Sequence, residues 1–145
     1  MSSIAPMLEI QLVWFDSDMI ELRLSAASEN FAGSSNFYAG FNELPDLATL
    51  LEGFPASPND LRTVEFGGNS LPGYGGAKIT FRCKDSSGHL SAEVSVFMTP
   101  GGWKDVAESA TIQIDTVPAE IDHFILQLRG VGSQVGAAAR LKNAT

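Results

Sequence analysis

Cysteine is almost missing from this chain: Cys83 stands alone among 145 residues, so no disulfide can form within it, and a reducing compartment is the natural setting. Histidine is nearly as scarce. His89 and His123 are the only two, and with Cys83 they match no zinc-ligand spacing. No apolar run is long enough to cross a bilayer. The opening MSSIAPMLEIQ has neither a basic n-region nor a continuous apolar h-region, so we read no signal peptide and expect a cytoplasmic protein. Positive charge is missing from the first part of the chain. Residues 1–60 hold nine acids against the single base Arg23, whereas residues 61–145 hold eight of each, so the formal net charge of -8 arises wholly in the first 60. A surface of that kind repels nucleic acid and anionic membranes and speeds association with a basic partner.

Hydrophobic residues at 44% and charged residues at 18% are enough to fold a single core at this length. Their pattern is mainly that of strands. Leu8, Ile10, Leu12 and Trp14 alternate with polar residues, as do Ile20, Leu22, Leu24 and Ala26, with Asp16-Ser17-Asp18 between them; this predicts a hairpin with one wet face. Asn30–Phe41 reads as a third strand interrupted by glycine, and Leu61–Phe66 as a fourth. The stretch Gly67–Gly76 reads as a glycine-rich loop. Ala77, Ile79, Phe81 and Cys83 then pair with Leu90, Ala92, Val94, Val96 and Met98 across the turn Asp85–Gly88, and a last strand carries Ala110, Ile112 and Ile114 inward.

Two helices are predicted. The first places Leu47, Leu50, Leu51 and Phe54 on one stripe, with Pro45 and Asp46 at its start and Gly53 with Pro55 as its stop. In the second, Pro118 opens a stripe of Ile121, Phe124, Ile125 and Leu128, and Gly130 closes it. Every element has one apolar face. We therefore expect an α+β domain over residues 1–132: a single antiparallel, mostly meander sheet of about six to seven strands, with both helices packed on one face. Residues 133–145, small and polar, are expected to form a flexible C-terminal tail.

No catalytic constellation stands out, and we expect a protein that is not an enzyme and carries no cofactor or metal. Cys83 and His89 suggest a nucleophile and base, yet the four-residue turn puts Lys84 opposite His89 and Cys83 opposite Leu90, on opposite faces. Asp16 and Asp18 more simply end their strands than bind a cation. The glycine cluster feeds a strand rather than a helix N-terminus and lacks the ending of a phosphate loop. Val13, Phe15 and Phe97 fall on the outward phase of their strands and, if contiguous, would mark a self-association surface.

In order, the opening hairpin, the helix in Phe41–Leu51, the turn Ser87-Gly88-His89-Leu90, Trp103 and the segment Ala119–Arg129 together resemble a group of small bacterial domains of unknown function. The resemblance is one of layout over roughly residues 8 to 130, with Gly53-Phe54-Pro55 where members usually carry a tryptophan. Some such domains look like immunity proteins that neutralise a toxin. The resemblance thus implies an immunity- or inhibitor-type binding protein and supplies no catalytic residues. The leading expectation is docking on a basic protein through some of Asp16, Asp18, Glu29, Glu43, Asp46 and Glu52. The alternatives are a homodimer through Val13, Phe15 and Phe97, and a ligand carrier or enzyme with a pocket between the first helix and the glycine-rich loop, near Tyr74 and Trp103.

Overall fold

A computed structural model describes residues 5–68, 75–99 and 108–143. The alternating segments form eight strands: β1 (Met7–Phe15), β2 (Ile20–Ala27), β3 (Ala32–Ala39), β4 (Leu61–Gly67), β5 (Gly75–Cys83), β6 (Leu90–Met98), β7 (Glu108–Thr116) and β8 (Ala138–Lys142). Helix α1 (Glu43–Leu51) joins β3 to β4, and α2 (Pro118–Gly130) joins β7 to β8. The α+β class and the two helices agree with the sequence pattern. The single sheet does not: the strands form two antiparallel sheets of four, in the orders β3-β2-β1-β8 and β4-β5-β6-β7.

The physical reason is that alternation specifies one buried face per strand but not what buries it. Here the sheets bury each other. β3 packs across β4, β5, β6 and β7, and β2 reaches β6 and β7, while α1 and α2 pack on one another beside β4 and β8. Leu8, Ile10, Leu12, Leu22, Leu24 and Phe37 of the first sheet share one core with Phe66, Ile79, Phe81, Val94, Ile112 and Ile114 of the second. Phe37 stacks on Phe66 across the junction, with ring centroids 5.3 Å apart.

Glycine lets the two sheets approach. A Cβ on Gly75 would overlap Ser35 Oγ and lie 2.5 Å from the Asn36 carbonyl oxygen, so β3 can cross the start of β5 only where no side chain stands. Part of the expected glycine-rich loop is therefore strand: Gly67 ends β4, and Gly75 and Gly76 begin β5. The rest of that loop lies outside the described residues.

Two further expectations are corrected. Residues 138–142 are not a free tail: β8 pairs with β1 from Met7↔Lys142 to Gln11↔Ala138 and completes the first sheet, with Ala139 and Leu141 fully buried. The phase of β1 also changes partway. Its register with β2 shifts between Leu12 and Trp14, a bulge at Val13 that turns Trp14 to the outer face opposite Glu21. Trp14 is 43% exposed, not a core residue, and Phe15 takes up the core-side phase opposite Ile20 at the rim of the sheet, 41% exposed.

α1 begins earlier than Pro45, at Glu43, so Leu44 and Ala48 join Leu47 and Leu51 in the core and Leu50 is only half-buried. Its far end is held by Arg62 of β4, whose Nη1 donates to the carbonyls of Leu50 and Glu52 at 2.8 and 2.7 Å. Those are the unpaired carbonyls at the negative end of the helix, where a fixed cation is favourable.

Candidate functional site

The fold partly repairs the charge split of the sequence. Three of the nine N-terminal acids pair with bases from the second half: Glu9 with Arg140 at 2.7 Å, Asp60 with Arg62 at 2.8 Å, and Glu52 with Arg129. Asp16, Asp18, Glu21, Glu29, Glu43 and Asp46 make no ion pair among the described residues. Of the six acids singled out from sequence, Glu52 is thus already neutralised by α2. Glu29 lies in the turn after β2, at the opposite end of the sheet from Asp16 and Asp18, which sit in the turn after β1.

The remaining four come together through the register. Ile20 pairs with both Phe15 and Ala39, so the β1–β2 turn lies beside the end of β3, and the chain enters α1 four residues later. Within the turn, Asp16 Oδ1 accepts the N–H groups of Asp18 and Met19 at 2.8 and 2.9 Å. At the start of α1, Glu43 Oε2 accepts the Gly40 N–H and fixes the entry to the helix. Large apolar side chains are exposed at the same end: Trp14, Phe15, Met19, Tyr38 and Phe41. Trp14 meets Tyr38 edge to face, centroids 6.1 Å apart, on the outer face of the sheet.

Beside this end, an open hollow of about 290 Å³ lies between α1 and β4, lined by Glu43, Asp46, Leu47, Leu50, Val64, Glu65 and Phe66. Glu43 and Asp46 of α1 border an apolar floor, whereas the Glu65 side chain lies on the opposite face of β4 from Val64 and Phe66. Glu65 faces Lys78 across the β4–β5 ladder without an ion pair. Sequence reasoning did not find Glu65 or the floor, because nothing in the local pattern says that α1 lies along β4. The run Leu12-Val13-Trp14-Phe15, four apolar residues in a row, was the available signal for the bulge that exposes Trp14.

The self-association set is not brought together. Val13 and Phe15 end a strand of the first sheet, whereas Phe97 is on β6 of the second, opposite Gly76 and Ser109, on the face that carries Lys78, Thr80 and Glu93. Cys83 is half-buried, its sulfur 3.6 Å from the Ser57 carbonyl, and it lies opposite Leu90 as the turn required. His89 Nδ1 lies 2.7 Å from Asp85 Oδ2 instead. The Asp85 carboxyl is held below its usual range, first by the Ser87 N–H and then by His89. Tyr74 and Trp103, near which a pocket between α1 and the glycine-rich loop is expected, lie outside the described residues.

Among the described residues no group of three or more His, Cys, Asp or Glu gathers to hold a metal ion, and no helix is long and apolar enough to cross a membrane. What the molecule offers at this end is an exposed surface of aromatic and acidic side chains on a two-sheet α+β scaffold. Neither a family model, a curated protein nor a solved structure matches the chain.

Proposed function

We propose that this chain is a binding protein of the immunity or inhibitor type, acting without catalysis, which docks on a basic protein through its acidic N-terminal end. One observation carries the reading: the acids that make no ion pair among the described residues, Asp16, Asp18, Glu21, Glu43 and Asp46, include those of the end where Trp14, Phe15, Met19, Tyr38 and Phe41 are exposed. Aromatic anchors with a charged rim are the composition of protein-binding surfaces. Arg and Lys of a partner would meet both carboxylates and ring faces there, and uncompensated negative charge would steer the encounter.

The test is retention of proteins from cell lysate at low salt on the immobilised wild type and on D16N/D18N/E43Q/D46N, followed by association kinetics of the retained protein. A basic protein held by the wild type, lost from the variant and associating more slowly as salt rises supports the reading. Retention that is the same on both surfaces and indifferent to salt refutes it.

A further inference from the structure

We propose that the outer-face row Trp14, Glu21 and Tyr38 is the seat of an arginine side chain of that basic partner. The inference rests on the acidic-end reading and names one place and one chemistry within it. The strand register builds the site. Glu21 of β2 lies opposite Trp14 of β1 on one side and opposite Tyr38 of β3 on the other, so the three residues stand in one row on one face. The two rings meet edge to face at 80°, with centroids 6.1 Å apart, and Trp14 is 43% exposed. Asn36 Nδ2 donates to Glu21 Oε2 at 3.0 Å and fixes the carboxylate on this face. The other oxygen, Oε1, accepts no hydrogen bond among the described residues.

An indole and a carboxylate ask different things of a ligand, and a guanidinium supplies both. It is planar, so it stacks on an aromatic ring while its in-plane N–H groups donate to carboxylate oxygens. An ammonium is a compact, strongly hydrated point charge and lacks that geometry. An apolar side chain would use the rings and leave the carboxylate unanswered. The chain already contains the complete arrangement once: Arg62 lies over the Phe54 ring at 5.3 Å and donates to both oxygens of Asp60. Charge complementarity favours a cationic guest on the outer face as well. Glu21, and Asp16 and Asp18 in the turn that follows β1, make no ion pair among the described residues. The opposing charge is Arg23, two residues from Glu21 on the same face of β2 and so about 7 Å along the strand. It is bonded to Asn36 Oδ1 at 3.3 Å rather than to Glu21, and three carboxylates outweigh it.

The probe is an acetylated, amidated tri-arginine peptide, titrated at low salt into isotope-labelled protein. Tri-lysine and tri-citrulline, the uncharged isostere of arginine, are the comparisons. The expected result is a shift of the Trp14 indole N–H resonance, identified by its loss in Trp14→Phe, weaker with tri-lysine and absent with tri-citrulline. Affinity for tri-arginine should fall about tenfold in Trp14→Ala and severalfold in Glu21→Gln, and Trp14→Phe should restore most of it. Glu29→Gln removes one charge at the opposite end of the same sheet and should bind as wild type. A silent indole resonance, or an affinity unchanged in either Trp14→Ala or Glu21→Gln, would overturn the arginine seat. Tri-lysine or tri-citrulline binding as tightly as tri-arginine would overturn it too. The acidic-end reading survives those outcomes if lysate retention is still lost from D16N/D18N/E43Q/D46N, whereas retention indifferent to that variant removes the reading itself.

Discussion

The hydroxyl of Ser35 donates to the carbonyl of Phe97 at 2.7 Å and so ties the edge strand of one sheet to the middle of the other. The same oxygen accepts the Gly76 N–H at 3.0 Å. A buried hydroxyl costs free energy unless its bonds are made, and here both are. Ser35 is 2% exposed, so water cannot replace it. Ser35→Ala would strand a buried carbonyl and a buried N–H, and we expect a loss of about 1 to 3 kcal/mol in urea unfolding. Gly75→Ala should cost at least as much, since its Cβ has no room between Ser35 Oγ and the Asn36 carbonyl. A neutral result for both would mean that β3 does not cross β5 as described.

Arg62 links α1 to β4 through four hydrogen bonds, two to helix carbonyls and two to Asp60. Arg62→Lys keeps the charge but not the planar fork, and Arg62→Ala loses both. Denaturant melts should rank wild type above the lysine variant and that above the alanine variant, the last by about 2 to 3 kcal/mol. A lysine variant as stable as wild type would show that charge alone suffices.

The Asp60 carboxyl is held below the ordinary carboxylate range, chiefly by its hydrogen bond from Arg62 and then by the Ala56 N–H. A carboxylate with a depressed pKa in the fold adds stability above its unfolded pKa, about 3.9, and loses it as pH falls through the lower folded value. Asp60→Asn should therefore be less stable than wild type at pH 7, and the gap should close below about pH 3.9. Parallel pH–stability curves down to pH 2 would contradict this.

Strands, both helices and the Asp85–Gly88 turn were legible because each rests on local periodicity. What was not legible depended on contacts distant in sequence. Residues 133–145 look like a tail because β8 has only Leu141 as a large apolar residue, and its place beside β1 is fixed by pairing across more than a hundred residues. The bulge at Val13 inverted the faces assigned to Trp14 and Phe15, since one extra residue reverses every later side chain. The charge split was plain in the sequence; which acids stay unpaired was not, because Arg129 and Arg140 reach Glu52 and Glu9 only through the fold.

The placement of β8 predicts that the last strand is required for stability. Leu141 is fully buried opposite Leu8, and Ala139 lies opposite Ile10. Leu141→Ala should cost about 2 to 5 kcal/mol, as for a leucine truncated in a closed core. Ending the chain after Ala137 should strongly lower stability, because β1 would keep only β2 as a neighbour and the core would lose Ala139 and Leu141. An unchanged melt in the truncated chain would restore the free tail.

The bulge gives the sharpest contrast between neighbours. Leu12 is fully buried opposite Leu22, whereas Trp14, two residues on and in the same phase by sequence, is 43% exposed opposite Glu21. Leu12→Ala should cost about 2 to 5 kcal/mol. Trp14→Ala removes the edge-to-face contact with Tyr38 and part of a ring from an outer face, so it should cost only about 1 kcal/mol. If Trp14 were on the core side, as unbroken alternation requires, its truncation would itself cost about 3 to 5 kcal/mol, on a par with that of Leu12. Chemical denaturation of the two variants side by side therefore reads the phase of β1 directly. It also tests the proposed docking surface: on that proposal Trp14→Ala should weaken retention of the basic protein while leaving the melt nearly unchanged.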